Sequence, residues 1–345
     1  MKRIKAFVVA VFLSVISLVV FLHFYIPYLD NYYKVSDNSV RYSISPEKYK
    51  STDIIKANLD QNTLVLFGSS ELAITNHKEY SFNKVFNTKD FHIMQLGSGS
   101  DQNIIHASLL GSLGDAVPKK RIAIVESMQW FEEKDQNRKA FEGRISKEAV
   151  YNALNNEALT QETKTKLINR IITLSSDNQS LKETFERYKR VLVDKNPIGL
   201  DEWLIKVDLL RYNYILKNKF VNDKKSLGTK KVKSELASEI NWEQRTSDAV
   251  KDAEKKTKNN PFGMDDDAFN MNYSKRVESA KDSKKDINLL DSAEYEDFKL
   301  FLEIAKELGI EAKIILFPVN GKWYDHIGIN KESRKKYYEK IKAIA

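Results

Sequence analysis

The sequence has no cysteine among its 345 residues. That excludes a disulfide scaffold, a thiolate nucleophile, zinc fingers and iron–sulfur sites. Its five histidines show no metal-ligand spacing. Asp265-Asp266-Asp267 lacks the glycine and distal glutamate of a calcium loop and reads as a solvated turn. There is no internal repeat. A mean hydropathy of −0.48 excludes a polytopic membrane protein. Against these absences, 42% hydrophobic residues are enough to build a core, so wholesale disorder is excluded as well. The length fits about one to two and a half domains. A net charge of +8 suggests a polyanion or an acidic surface nearby, without saying which.

One long hydrophobic run stands out. Lys2, Arg3 and Lys5 precede an uncharged stretch from Ala6 to Leu22, which extends to Leu29 with Tyr25 and Tyr28 at its far end. A helix needs about 20 apolar residues to cross a bilayer of about 30 Å. Basic residues before the span favour a cytoplasmic N-terminus, and tyrosines after it suit the membrane–water interface. A cleaved signal peptide would have a shorter apolar region and a small-x-small site. Here bulky residues follow, so residues 1–29 read as a basic leader and uncleaved anchor. Residues 30–345 then form an extracytoplasmic domain. Three of the eight net positive charges belong to the leader. His23, at the end of the span, reads as an interfacial imidazole.

Four short apolar runs read as strands buried on both faces: Thr63–Phe67, Phe91–Leu96, Arg121–Val125 and Ala312–Phe317. Each ends at small or polar residues. Helical patterns separate them. Asp101–Leu113 follows the second strand, with Asp101 able to cap it. Ser292–Leu308 precedes the fourth, with Ser292 as an N-cap candidate and Gly309 as a C-terminal stop. Strands alternating with helices predict an α/β fold with a mainly parallel sheet covered on both faces. Residues 144–259 contain no convincing strand. They read as a helical insertion: Ser146–Leu154, Thr160–Leu174, Leu181–Val193, Leu200–Phe220 and Val232–Lys255. Asn259–Asn288 reads as a loop. Two lysine clusters, Lys224/Lys225/Lys230/Lys231/Lys233 and Lys255/Lys256/Lys258, read as solvated faces beside acidic neighbours.

The first strand end carries the chemistry. In Leu64-Val65-Leu66-Phe67-Gly68-Ser69-Ser70-Glu71, a serine is displayed just past the carboxyl end of a parallel strand, where α/β ligand sites lie. Amides at the start of a following helix could stabilise an anion. The bland alternative is a helix cap by Ser69 or Ser70. The next two strand ends add weight. Gly97-Ser98-Gly99-Ser100 offers closely approaching backbone N–H groups, and Ser127-Met128-Gln129-Trp130 offers a side-chain amide. A serine with a glycine N–H and a Gln amide from successive strand ends is an oxyanion-hole layout for acyl transfer.

An anchor, then FGSSEL, LGSGSDQN, ESMQWF and FPVNGKWYDHIG resembles the DltD family over nearly the whole chain. The resemblance implies an SGNH/flavodoxin-like fold. It implies a membrane-anchored extracytoplasmic protein of teichoic acid D-alanylation, acting with the other membrane proteins of that pathway. It assigns Ser70 as nucleophile and Gly99, with Gly97 as the alternative, as the oxyanion glycine, with Gln129 where many SGNH enzymes place Asn. Ser69, Glu71, Gly97, Trp130, Trp323, Tyr324 and His326 are candidate substrate-lining residues. Expected partners are lipoteichoic acid or a D-alanyl carrier; no cofactor, metal or nucleic acid is expected.

SGNH enzymes take their base from an Asp-x-x-His near the C-terminus. No such motif follows Phe317 here. Either the chain stops before its base or it is catalytically incomplete. His326 is a weak substitute, because the adjacent Asp325 does not resemble an orienting partner. His77, His92 and His106 read as structural. Two functions remain open alongside the acyltransferase or esterase: an anchored scaffold without chemistry, and a generic esterase acting on wall polysaccharide.

Overall fold

The computed structural model describes residues 2–32, 39–43, 45–73, 80–227 and 234–345, of which residues 22, 26–32, 46 and 223–227 are described by backbone alone. His77, Lys230, Lys231 and Lys233 lie outside the described residues, as do the side chains of Tyr28, Lys224 and Lys225.

Four strands, β1 (Thr63–Phe67), β2 (His92–Leu96), β3 (Arg121–Glu126) and β4 (Glu311–Leu316), form one parallel sheet in the order β2-β1-β3-β4. The longer helices are α1 (Lys2–Tyr32), α2 (Asn103–Leu113), α3 (Lys147–Asn155), α4 (Gln161–Leu174), α5 (Gln179–Tyr188), α6 (Asp201–Leu227), α7 (Trp242–Lys256), α8 (Glu294–Glu307) and α9 (Lys331–Ile344). The apolar part of α1, Lys2–Tyr25, is long enough to span a bilayer and is unburied by the rest of the chain. That is compatible with a single-pass anchor.

Side-chain alternation divides the sheet. Val65, Phe67, Met94, Leu96, Ile122 and Ile124 face a large core built with α2, α3, α4 and α8. Leu66, Ile93, Ala123 and Val125 face a thinner layer with Tyr42 and Leu72. Strand β4 departs from the expectation of burial on both faces: Ile315 and Phe317 are exposed, because β4 is an edge strand covered on one face only. The other edge is covered. Gln95 N–H on β2 donates to Arg41 O (3.0 Å), and the fully buried Lys48 ammonium donates to Gln95 O (2.5 Å).

Helix ends follow local chemistry. Gly309 (φ +63°) ends α8 with Ile310 N–H on Ala305 O (2.8 Å) and Gly309 N–H on Lys306 O (3.0 Å), a Schellman pairing. Ala293, not Ser292, holds the N-cap position of α8, and Ser292 Oγ accepts from Glu294 N–H at 3.4 Å. The expected helix from Val232 starts outside the described residues. Its described part begins only at Trp242, because Asn241 Oδ1 caps Gln244 N–H (2.9 Å). The expected loop Asn259–Asn288 holds two short helices, Asp266–Asn272 and Val277–Ala280. Asp265 caps the first, so that aspartate starts a helix where a solvated turn was expected.

Candidate active site

The site is built on three strand ends. Past β1, Gly68 N–H continues the ladder to Leu96 O (3.1 Å). Gly97, just past β2, sits at φ +143° with its Cα against Gly68; a Cβ there would lie 1.7 Å from Gly68 O. Only glycine fits that approach. The close crossing brings the two turns together. Ser69 is buried and its hydroxyl donates to Ser98 O (3.0 Å). Its N–H donates to Glu71 Oε1 (2.5 Å). Burial raises the Glu71 carboxyl above the usual range.

Held this way, Ser70 is exposed at the top of the sheet. It begins a single 3₁₀ turn, Ser70–Leu72, rather than the α-helix that would present a run of free amides. Gly99 lies behind it: a Cβ at Gly99 would be 3.9 Å from Ser70 Cβ. The loop carrying Gly99 is closed by Asp101, whose Oδ2 accepts from Ser98 N–H (2.7 Å). Burial pushes the Asp101 carboxyl up to about 7. Asp101 therefore latches this loop and does not cap α2. The N-terminus of α2 is satisfied from far along the chain, by Glu294 Oε1 on Asn103 N–H (2.7 Å).

The third strand end turns at Met128–Phe131, exposing Gln129 and burying Trp130. Ser70 and Gln129 line two clefts. The larger, about 500 Å³, is also lined by Glu71, Ser127, Trp323, Tyr324, Arg276 and Lys284. The smaller, about 240 Å³, adds Ser69, Trp130, Gln102 and Gln136. Trp323 is fixed edge-on against Phe262 and Tyr273, each 5.0 Å away. Tyr324 OH donates to Glu132 Oε1 (3.4 Å), and Glu132 pairs with Lys284. Burial raises the Tyr324 phenol, which stays neutral.

The candidates are thus not all brought together. Ser69, Ser70, Glu71, Gln129, Trp130, Trp323 and Tyr324 line the clefts, and Gly99 backs Ser70. Gly97 is spent on the backbone crossing. His326 lines neither cleft; its Nε2 lies 2.8 Å from Val277 O and its ring packs on Phe262 and Trp323. Asp325 pairs with Arg334 (2.6 Å) and not with His326. His92 is buried on β2. His106 is buried against Phe67 and Trp130, and burial pushes its imidazole down to about 3. Among the described residues no histidine lines either cleft, and none of the His, Asp and Glu side chains cluster as metal ligands.

Two groups escaped sequence reasoning. Arg276 and Lys284 come from the stretch read as loop. Glu126, at the end of β3, is fully buried beside Asn103 (Nδ2 to Oε2, 3.2 Å). Burial pushes its carboxyl up to about 8, Asn103 pulls it down, and the Glu71 charge adds to the rise. A glutamate ending an apolar run was the only available signal.

Comparison with known proteins gives the same lineage throughout. "Protein DltD" of Staphylococcus aureus (strain NCTC 8325 / PS 47) is 26% identical over 317 residues, covering 89% of this chain and 76% of that protein. "Protein DltD" of Bacillus subtilis (strain 168) is 26% identical over 290 residues, covering 82% and 71%. The DltD protein family matches residues 41–345, which takes in all four strands and both clefts, and the chain belongs to that family.

Proposed function

We propose that this protein carries out an acyl-transfer step in the D-alanylation of teichoic acid, with Ser70 as nucleophile, on an SGNH-like domain held at the outer face of the membrane by α1. Family membership supports the pathway. The observation that carries the chemistry is the position of Ser70 and Gln129, from the ends of β1 and β3, at the junction of the two clefts, with Gly99 behind the serine.

In this reading Ser70 Oγ attacks the carbonyl carbon of a D-alanyl ester. The negative oxygen that develops is met by the Gly99 N–H and the Gln129 amide. The bond to the first alcohol breaks, and that alcohol leaves with the proton given up by the Ser70 hydroxyl. A second alcohol, arriving through the other cleft, then attacks the Ser70 ester; the acyl–Ser70 bond breaks and the second alcohol's proton returns to Ser70 Oγ. Two clefts meeting at one hydroxyl suit donor and acceptor chains that approach from different sides. Arg276 and Lys284 on the larger cleft suit a phosphate-bearing chain, as does the net positive charge. Pathway membrane proteins would supply the donor.

Replacing Ser70 by Ala in cells and measuring ester-linked D-alanine on teichoic acid tests this. Loss of the ester is expected; an unchanged amount rejects a catalytic Ser70.

A second reading is a scaffold that presents teichoic acid without chemistry. The tethering of His326 to Val277 O and the burial of His106 favour it, since a hydroxyl near its ordinary pKa needs a base. A serine-directed fluorophosphonate separates the two. Labelling that disappears in Ser70→Ala supports the enzyme, and absence of labelling supports the scaffold.

A further inference from the structure

Helix α6 has two faces. The inner face carries Ile205, Leu216 and Phe220, all buried, and its Asp208 pairs with Lys147 (2.9 Å). The opposite face, at helical spacing, carries Trp203, Leu204, Val207 and Leu210, large apolar side chains exposed by 57, 37, 45 and 55%. They make a strip about 10 Å long at 1.5 Å per residue, and Leu200, 67% exposed at the turn into the helix, precedes it. Contiguous apolar patches of this kind on a folded domain mark a surface that something else covers.

What covers it is indicated further along the same face. Residues 214 and 218 continue the stripe by the same spacing, and there the face meets α1. Tyr25 OH donates to Asn218 Oδ1 (2.8 Å), and the Tyr25 and Tyr214 rings lie 6.0 Å apart. Tyr25 ends the apolar span Lys2–Tyr25. A tyrosine there sits at the level of the lipid headgroups. The face of α6 that touches the anchor at headgroup level is therefore the face that bares the apolar strip.

We infer that the outer face of α6 lies in the interfacial layer of the bilayer, so that the domain is held to the lipid surface by α6 as well as tethered by α1. The inference rests on the reading of α1 as a membrane anchor. Trp203 suits the interface, and exposed Lys206 and Arg211 can extend toward anionic headgroups while their stems stay on the apolar strip. Laid flat in this way, the helix limits how far and at what tilt the clefts stand above the membrane.

The absence of cysteine makes the test direct. Leu200→Cys, Val207→Cys and Leu210→Cys are introduced singly into the full chain and spin-labelled. Each is reconstituted into phosphatidylcholine/phosphatidylglycerol vesicles. Accessibility to dissolved oxygen is compared with that to a water-soluble nickel chelate. Val15→Cys on α1 is the lipid control and Lys335→Cys on α9 the aqueous control. The expected result is a shift toward oxygen at all three positions, with a depth of about 5–10 Å below the headgroup surface. Water-like values at 200, 207 and 210 beside a lipid-like Val15→Cys overturn the inference and leave the anchor standing. Shielding from both reagents with spin–spin broadening overturns it in favour of a second copy of the chain. A water-like Val15→Cys refutes the anchor reading and the inference with it.

Discussion

The Cα of Gly97 rests against the carbonyl of Gly68, so close that a Cβ would lie 1.7 Å from that oxygen. This contact sets the height at which Ser70 and Gly99 emerge from neighbouring strands. Gly97→Ala is expected to destabilise the protein by at least about 1–3 kcal/mol, the usual cost of a strained backbone conformation. Thermal unfolding of the detergent-solubilised protein reads the loss. Gly143→Ala, in a helix with nothing within 4 Å of the added Cβ, is the control and should be neutral or slightly stabilising.

The two adjacent serines should separate cleanly. Ser69→Ala removes a buried hydroxyl bonded to Ser98 O and should cost about 1 kcal/mol of stability. Ser70→Ala removes an exposed hydroxyl, so its unfolding temperature should match the wild type while D-alanyl transfer is lost. Equal unfolding shifts in both variants would contradict the assignment of one serine to structure and the other to chemistry.

Gln129→Ala is expected to lower kcat by about 10²–10³, the usual effect of removing one oxyanion donor. KM should change little, because the amide acts on charge present only in the transition state. A rise in KM with kcat intact would instead make Gln129 a binding residue.

Glu126 gives a pH dependence. Burial pushes its carboxyl in the folded protein up to about 8 from an ordinary 4.5. Between those values the folded state holds a proton that the unfolded state releases, so stability falls as pH rises from about 4.5 to about 8. Buried Glu294, raised by its own burial, acts in the same direction. Glu126→Gln should flatten the profile and raise the unfolding temperature at pH 8 relative to wild type, with little difference at pH 5. An unchanged slope would mean that Glu126 is ionised in the folded state.

The sequence made the sheet legible because each strand is a short apolar run, and the ends of the first three, at Gly68, Gly97 and Ser127, also mark the site. β1 agrees residue for residue, β2 and β3 differ by one residue at one end, and β4 is shifted by one residue at both ends. What stayed hidden depends on long-range partners. The cap on Asn103 comes from Glu294, 191 residues away, so nearby Asp101 looked like the capping residue. His326 follows a strand end and looked available, but its nitrogen is taken by Val277 O from a stretch that read as loop. The exposed outer face of β4 followed from strand order, which an apolar run does not encode.

The most direct measurement is of the covalent intermediate. The purified full-length protein is incubated with D-alanyl-esterified teichoic acid, quenched in acid and digested, and the Ser69–Ser70 peptide is sequenced by mass spectrometry. The account predicts a D-alanyl ester on Ser70 and none on Ser69, absent in Ser70→Ala. D-alanyl transfer that proceeds undiminished in Ser70→Ala, with no adduct on the wild-type peptide, would contradict it.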